Sequence, residues 1–275
     1  MRLWIMSDLH IELTRGWDLP AAADRPAFDV LIIAGDLIPG AERGVAWLRE
    51  RVADRPVIYV MGNHESYGGD IDRTLEKARV AAEGTNVFVV ENECVRIGHV
   101  IFAGCTLWTD FAIRGDAYRG MAVAGERMND FKKIRTANYR QRFLPRHALT
   151  RHLTSVAFLE SEMRKRRNGK LVVVSHHAPI PEMTDDPGGS GEDHTLDPAY
   201  RSDLRRRLMV SVPDDGSGAL QPADLWVFGH THSSFDAEIG ETTRVVSNAK
   251  GYGPWPGHQR GWDNPNFNEK LVIEI

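Results

Sequence analysis

The chain has 275 residues, 42% hydrophobic and 26% charged, which is ordinary globular composition and enough for one large core. A single domain over 1–275 with insertions is expected. The formal net charge of −4 gives no general pull toward nucleic acid or an anionic membrane, and no segment approaches the ~18 apolar residues of a membrane span.

Residues 1–10 read as a strand ending at Asp8 and His10. Its start, Trp4-Ile5-Met6-Ser7-Asp8, is too short an apolar run for a secretory signal, so a cytoplasmic location is expected. A loop with Pro20 and Pro26 leads to a strand over 29–34 that ends at Asp36. After Pro39-Gly40, Val45, Leu48 and Val52 recur at helical spacing and predict a helix over 41–52. The run Val57-Ile58-Tyr59-Val60 enters Asn63-His64-Glu65. Asp70 is the expected N-cap of a helix with Ile71, Leu75, Ala78 and Ala82 on one face and Gly84 as its stop. β-Rich sequence from Asn86 includes a hairpin over 94–105 around Gly98-His99.

Residues 112–145 fit neither the helical nor the strand period. The stretch at about 108–145 is read as an insertion over the sheet rim. Helical spacing returns over 147–167, and a strand at 171–174 ends at Ser175-His176-His177. Residues at about 181–195, rich in Pro, Gly, Asp and Glu, are expected to form a mobile lid loop. A short helix over 200–210 follows, then a strand over 225–228 that ends at Gly229-His230-Thr231-His232. Strands around Glu238 and over 244–247, a Gly/Pro/Trp-rich excursion over 251–268 and a closing strand at 271–275 complete the chain.

Cys94 and Cys105 sit on the two arms of the hairpin and are expected to be free, buried thiols. The basic clusters 164–167 and 205–207 fall near helix ends, where cations suit the dipole, and are read as solvated helix ends. His99, His147, His152, His194 and His258 are taken as surface residues.

Five apolar runs share one design. Each is a short continuous stretch of the kind buried on both faces of a sheet. Each delivers Asp, His or Asn at its C-terminal end: Asp8 and His10, Asp36, Asn63 and His64, His176, and His230 with His232. Ligands bind beyond the carboxyl ends of strands in open α/β sheets, so these residues are expected on one rim. Asp8 and His10 are two apart and point to the same side of an extended strand.

Asp8, His10, Asp36, Asn63, His176, His230 and His232 offer carboxylate, amide and imidazole without thiolate. That set suits Mn, Fe, Zn, Ni or Co rather than a structural zinc finger. Seven ligands exceed the need of one ion and match two ions sharing a carboxylate. Two ions about 3.5–4 Å apart clamp a phosphoryl group for in-line displacement by a hydroxide. His64 is then the leftover imidazole, suited to protonating a leaving alkoxide. Which ion each histidine serves is open at this point.

The order Asp8-x-His10, Gly35-Asp36, Gly62-Asn63-His64-Glu65, His176 and Gly229-His230-Thr231-His232 resembles the five-block signature of the calcineurin-like metallophosphoesterases. The resemblance spans residues 8 to 232 and implies a four-layer αββα sandwich of the α/β class, with a dimetal site at the rim. It implies that Asp8, His10 and His232 bind one ion and Asn63, His176 and His230 the other. Asp36 would bridge them, a bridging hydroxide would attack phosphorus, and His64 would serve the leaving group. Manganese is the favoured metal. The stretches 107–111 and 128–131 resemble a subgroup of small bacterial members, in which Asn-Pro-Arg-Gly-Tyr is usual where this chain has Asn248-Ala249-Lys250-Gly251-Tyr252. An Arg-to-Lys change loses a bidentate phosphate grip, so no phosphate role is carried to Lys250.

Arg127, Asn129, Asp130 and His177 are candidate substrate contacts, Trp108 and Phe131 are read as core, and Glu65 is expected to support the ligands. The expected activity is phosphoester hydrolysis of a small substrate, with diesters favoured over monoesters. A non-catalytic metal-binding scaffold of the same fold is disfavoured by the intact ligand set. A nuclease for long polymers is disfavoured by the lack of a continuous basic groove.

Overall fold

Short Val/Ile/Leu-rich runs become strands because both of their faces find apolar partners. The structure, a computed structural model, describes residues 1–14, 16–181, 194–240, 242–254 and 261–275. The first part of the chain forms β1 (Arg2–Met6), β2 (Val30–Ala34), α1 (Ala41–Arg51), β3 (Val57–Val60), α2 (Ile71–Ala82) and β4 (Val87–Val89). The hairpin β5 (Glu93–Ile97) and β6 (Val100–Cys105) follows, then α3 (Ala117–Arg127), α4 (Asp130–Lys133), β7 (Arg135–Thr136), β8 (Gln141–Arg142) and α5 (Pro145–Arg164). The remainder comprises β9 (Lys170–Ser175), α6 (Asp197–Tyr200), α7 (Arg205–Leu208), β10 (Leu225–Phe228), β11 (Ser234–Ile239), β12 (Thr243–Asn248) and β13 (Val272–Glu274).

Two large sheets result, in the orders β13-β1-β2-β3-β4 and β11-β12-β10-β9-β6-β5. β1 to β4 run parallel, as do β6, β9, β10 and β12, while β13, β5 and β11 pair antiparallel at three of the edges. Alternation along each strand sorts the side chains. Leu3, Ile5, Ile32 and Ile58 meet Phe102, Val172, Val174 and Val227 between the sheets. Trp4, Leu31 and Tyr59 face α1 and α2 through Val45, Leu48 and Ala78. Val173, Trp226 and Phe228 face α5 and α7 through Val156, Leu159, Met163 and Leu208. The outcome is the α–β–β–α layering. Each buried aliphatic side chain contributes about 1.5–3 kcal/mol.

The capping signals of α2 are realised: the Asp70 side chain accepts from the amides of Asp72 and Arg73. Residues 112–145 depart from the expectation of irregular chain, since α3 spans eleven residues there. Its buried face carries Gly120 and Ala124 rather than large apolar residues. A Cβ on Gly120 would lie 2.5 Å from the Phe111 carbonyl, so the close packing that holds this helix also erases its apolar period. Phe111, Phe131, Phe143 and Trp108 form a separate cluster beneath it.

The helix expected over 200–210 is two short ones. Between them Arg201 is extended and bridges Ala178, and the Ser202 amide donates to the Ala178 carbonyl. Cys94 is exposed rather than buried, and the hairpin register sets it opposite Ala103, not Cys105. His152 is buried, with Nδ1 against the Leu107 and Trp108 carbonyls, not on the surface. The basic clusters are held by acids, with Arg164 and Arg207 on Glu160, Lys165 on Glu162 and Arg205 on Asp203. Most of the lid expected at 181–195, and His258, lie outside the described residues.

Candidate metal centre

The carboxyl ends of β1, β2 and β3 from one sheet face those of β9 and β10 from the other. The loops leaving them bring Asp8, His10, Asp36, Asn63, His64, His176 and His230 together as buried polar residues, with His232 at the edge. The rim expected from sequence is thus two facing rims.

The local backbone is specialised. Asp8, His10, Asp36, His230 and His232 all have positive φ, between 41° and 69°. Asp and His tolerate this region better than most residues, yet each such residue still costs of order 1–3 kcal/mol unless its surroundings fix it. The glycines before the ligands permit the close packing. A Cβ at Gly62 would lie 2.1 Å from Asp36 Oδ1, and one at Gly35 2.3 Å from His176 Nδ1.

Three ligand clusters overlap: Asp8, His10 and His232; His10, Asp36 and His64; and Asp36, His176 and His230. Their hydrogen bonding suits cations. His176 Nδ1 faces the Ala34 carbonyl at 2.9 Å and donates to it. Its Nε2 then faces Asn63 Oδ1 at 2.9 Å and Asp36 Oδ1 at 3.4 Å, both acceptors. His232 Nδ1 is fixed in the same way by Asp263 Oδ2 at 2.9 Å, which turns its Nε2 toward Asp8 Oδ1 at 3.5 Å and His10 Nε2 at 3.2 Å. His230 Nε2 is buried without any hydrogen-bond partner, and His10 Nε2 faces Asp36 Oδ2 at 3.7 Å. Acceptors converging on one buried point call for positive charge between them.

Electrostatics agree. Burial would raise the pKa of Asp36, but His176, His64 and His10 hold its carboxyl well below the usual range. Burial opposes the charge on His176, yet Asp36 pushes it up to about 10. Burial and the neighbouring imidazoles keep His230 neutral. The site is built around a buried anion that draws positive charge toward it.

A family model for calcineurin-like phosphoesterases matches residues 1–234. The chain belongs to the calcineurin-like phosphoesterase family. It is a metal-dependent hydrolase of phosphoester bonds. An uncharacterized protein, L509, of Acanthamoeba polyphaga mimivirus is 24% identical over 302 residues, covering 98% of this chain and 95% of its own length. The crystal structure of a phosphopantetheinyl hydrolase from Mycobacterium tuberculosis superposes with a TM-score of 0.63 at 20% identity. The match covers 91% of this chain and 89% of that one. It establishes a shared fold.

Around the ligands the phosphoesterase has a supporting layer. Glu65 accepts from the amides of Asp36, Leu37 and Gly62 and from the Tyr59 hydroxyl at 2.8–3.2 Å, tying two rim loops together. Burial, then the Asp36 charge, raises its pKa to about 7. Asp130 Oδ1 accepts from Asn63 Nδ2 at 2.8 Å and from the Tyr67 hydroxyl at 2.7 Å. The Asn63 amide is thereby oriented with its oxygen toward His176. Lys250 is buried, donating to the Gly251 carbonyl at 3.0 Å and capped by Trp262 and Trp17.

A cavity of about 470 Å³ opens on Asp36, Asn63, His64, His230 and His232. Of the expected substrate contacts, Arg127 and Asn129 line it, whereas Asp130 and His177 do not. Asp130 lies buried behind Asn63. His177 is buried with Nδ1 on the Thr106 carbonyl and its ring 4.1 Å from that of His230. Sequence reasoning missed Tyr67, Tyr200 and Tyr252, which also line the cavity. The Tyr67 ring lies 4.1 Å from His64, and the Tyr252 hydroxyl lies 3.1 Å from His64 Nε2. It also missed Glu12, whose Oε1 sits 3.7 Å from His10 Nδ1 and 3.8 Å from His64 Nδ1. The alternation Asp8-x-His10-x-Glu12 was the available signal. Burial would lower the pKa of His64, but Asp36, Glu12 and Asp130 overcome it and raise it.

Proposed function

We propose that this phosphoesterase is a two-metal phosphodiesterase for small substrates. The observation that supports this most directly is the place of Asp36: its carboxylate belongs to the His10 cluster and to the His176–His230 cluster at once. In this reading Asp8, His10 and His232 hold one ion, Asn63, His176 and His230 hold the other, and Asp36 joins them. The pair, when bound, supplies Lewis acidity toward the phosphoryl oxygens and a nucleophile at neutral pH. Manganese fits the mixed carboxylate–imidazole set, as do Fe, Zn, Ni and Co.

His64 carries the proton for the leaving oxygen. Its Nε2 lies on the cavity side, 3.9 Å from Asp36 Oδ2. Glu12 and the rings of Tyr67 and Tyr252 hold its orientation. Tyr252, His232, Tyr200, Arg201 and Arg127 line the cavity of about 470 Å³, and in this reading that volume has room for two ester arms. That room favours diesters over monoesters. The solved structure of similar fold is named a phosphopantetheinyl hydrolase, which supports a hydrolytic role. No described helix is long and apolar enough to cross a membrane. The free thiols of Cys94 and Cys105 suit a reducing cytoplasm.

The test is hydrolysis of bis(p-nitrophenyl) phosphate by metal-stripped protein reloaded with Mn²⁺. Turnover abolished by a chelator is expected. No turnover with two ions bound per chain would overturn the diester reading, and p-nitrophenyl phosphate then tests the monoester one.

A further inference from the structure

The hydrolytic chemistry leaves two cations of the cavity wall unused. Arg201 follows α6 and Arg127 ends α3, and both line the cavity that opens on the ligand cluster. Arg201 is half-buried, with Nη1 donating to the Pro181 carbonyl at 3.2 Å. Its Nε is buried and has no hydrogen-bond partner. An unpaired, buried guanidinium N–H is unfavourable, and such groups in native proteins usually answer to something. The neighbouring acid, Asp197, is already ion-paired with Arg114 and lies 3.4 Å from His194 Nδ1. Arg127 Nη1 is steadied by Thr195 Oγ1 at 2.8 Å.

The two arginines share one side of the site. Tyr200, next to Arg201, has its ring 4.9 Å from that of His230. Asp130, three residues after Arg127, bonds Asn63. Both arginines thus belong to elements whose neighbouring residues reach the Asn63–His176–His230 half. The other half, Asp8 with His10 and His232, is flanked by the Asp263 carboxylate and Tyr252. Asp197 lines the cavity beside the arginines with its charge engaged by Arg114, so that wall carries two cations and one paired acid.

We propose that the cavity recognises a second anionic group on its substrate, a phosphate or carboxylate carried on one ester arm, through Arg201 assisted by Arg127. The planar guanidinium suits such oxygens. The pendant anion points away from Tyr252, over the Asn63 half. This rests on the phosphoesterase reading of the same cavity.

The test is calorimetric binding of thymidine 5′-monophosphate and thymidine 3′,5′-bisphosphate to the Mn²⁺-loaded protein. The wild-type protein should bind the bisphosphate at least about tenfold more tightly, a difference of about one log unit in Kd. Arg201→Met should weaken the bisphosphate at least about tenfold more than the monophosphate, and Arg127→Met should shift the ratio in the same direction by less. The metal ions remain in both variants, so a preference due to them alone would survive. Equal affinities in the wild type, or equal losses for both ligands in the variants, overturn the proposal. If Arg201→Met does not fold, Arg127→Met decides by the same ratio. Ester hydrolysis is read separately, so failure of the diester reading and failure of this subsite are distinguishable.

Discussion

The rim and the cap of this site are built in different ways. The rim consists of strand ends. Five of its seven candidate ligands have left-handed backbone, and the rim is locked by glycines that admit no Cβ and by the Glu65 carboxylate bridging two loops. The cap, α3, α4 and the α6 region, is a small aromatic cluster resting on the rim. It reaches the ligands through Asp130 on Asn63 and through Tyr200 over His230. The rim holds groups that must not move, while the cap supplies groups that touch what varies. On the proposed reading, chemistry is rooted in the sheets and selectivity in the segment that carries α3 and α4.

If that division holds, losses should fall from rim to cap. Asp36→Ala removes the anion common to both clusters, and metal content and turnover should drop to background by elemental analysis and by p-nitrophenol release. His64→Ala should keep both metals and slow substrates with poor leaving groups by about 10²–10⁴-fold. Metal loss in that variant would place His64 among the ligands. Asp130→Ala, a cap change, frees the Asn63 amide to turn, so calorimetry should show one metal bound about 10–100-fold more weakly and the other unaffected. Tyr67→Phe removes one hydrogen bond to that carboxylate, and a thermal melt should report about 1 kcal/mol of lost stability. A Tyr67 effect larger than that of Asp130 would break the division, because the cap would then act on His64 rather than on Asn63.

The same division explains what was legible in the sequence. The rim could be read because the candidate ligands follow runs of four or five apolar residues in a fixed order, and parallel strands must end on the same side. The cap could not be read by periodicity. α3 packs through Gly120 and Ala124, so its buried face shows no large apolar residue. Asp130 carried no sign that its partner was an amide 67 residues away. Tyr252 and Asp263 lie in a Gly/Pro-rich excursion whose path depends on backbone bonds to Ser7 and Asp8. His152 was misplaced because a histidine on a helix looks polar, while its carbonyl partners come from a distant turn.

The left-handed turns also limit how this centre can change. At the five positive-φ positions, Asp8, His10, Asp36, His230 and His232, the side chains that visit that region most readily are favoured, chiefly Asp, Asn and His besides glycine. The favoured set at those five positions is therefore short and contains only oxygen and imidazole donors. Exchanges within it can retune the centre among borderline and harder first-row ions. Thiolate is outside that favoured set, so backbone geometry disfavours drift toward a soft-metal trap at those five positions, while Asn63 and His176 stand outside the constraint.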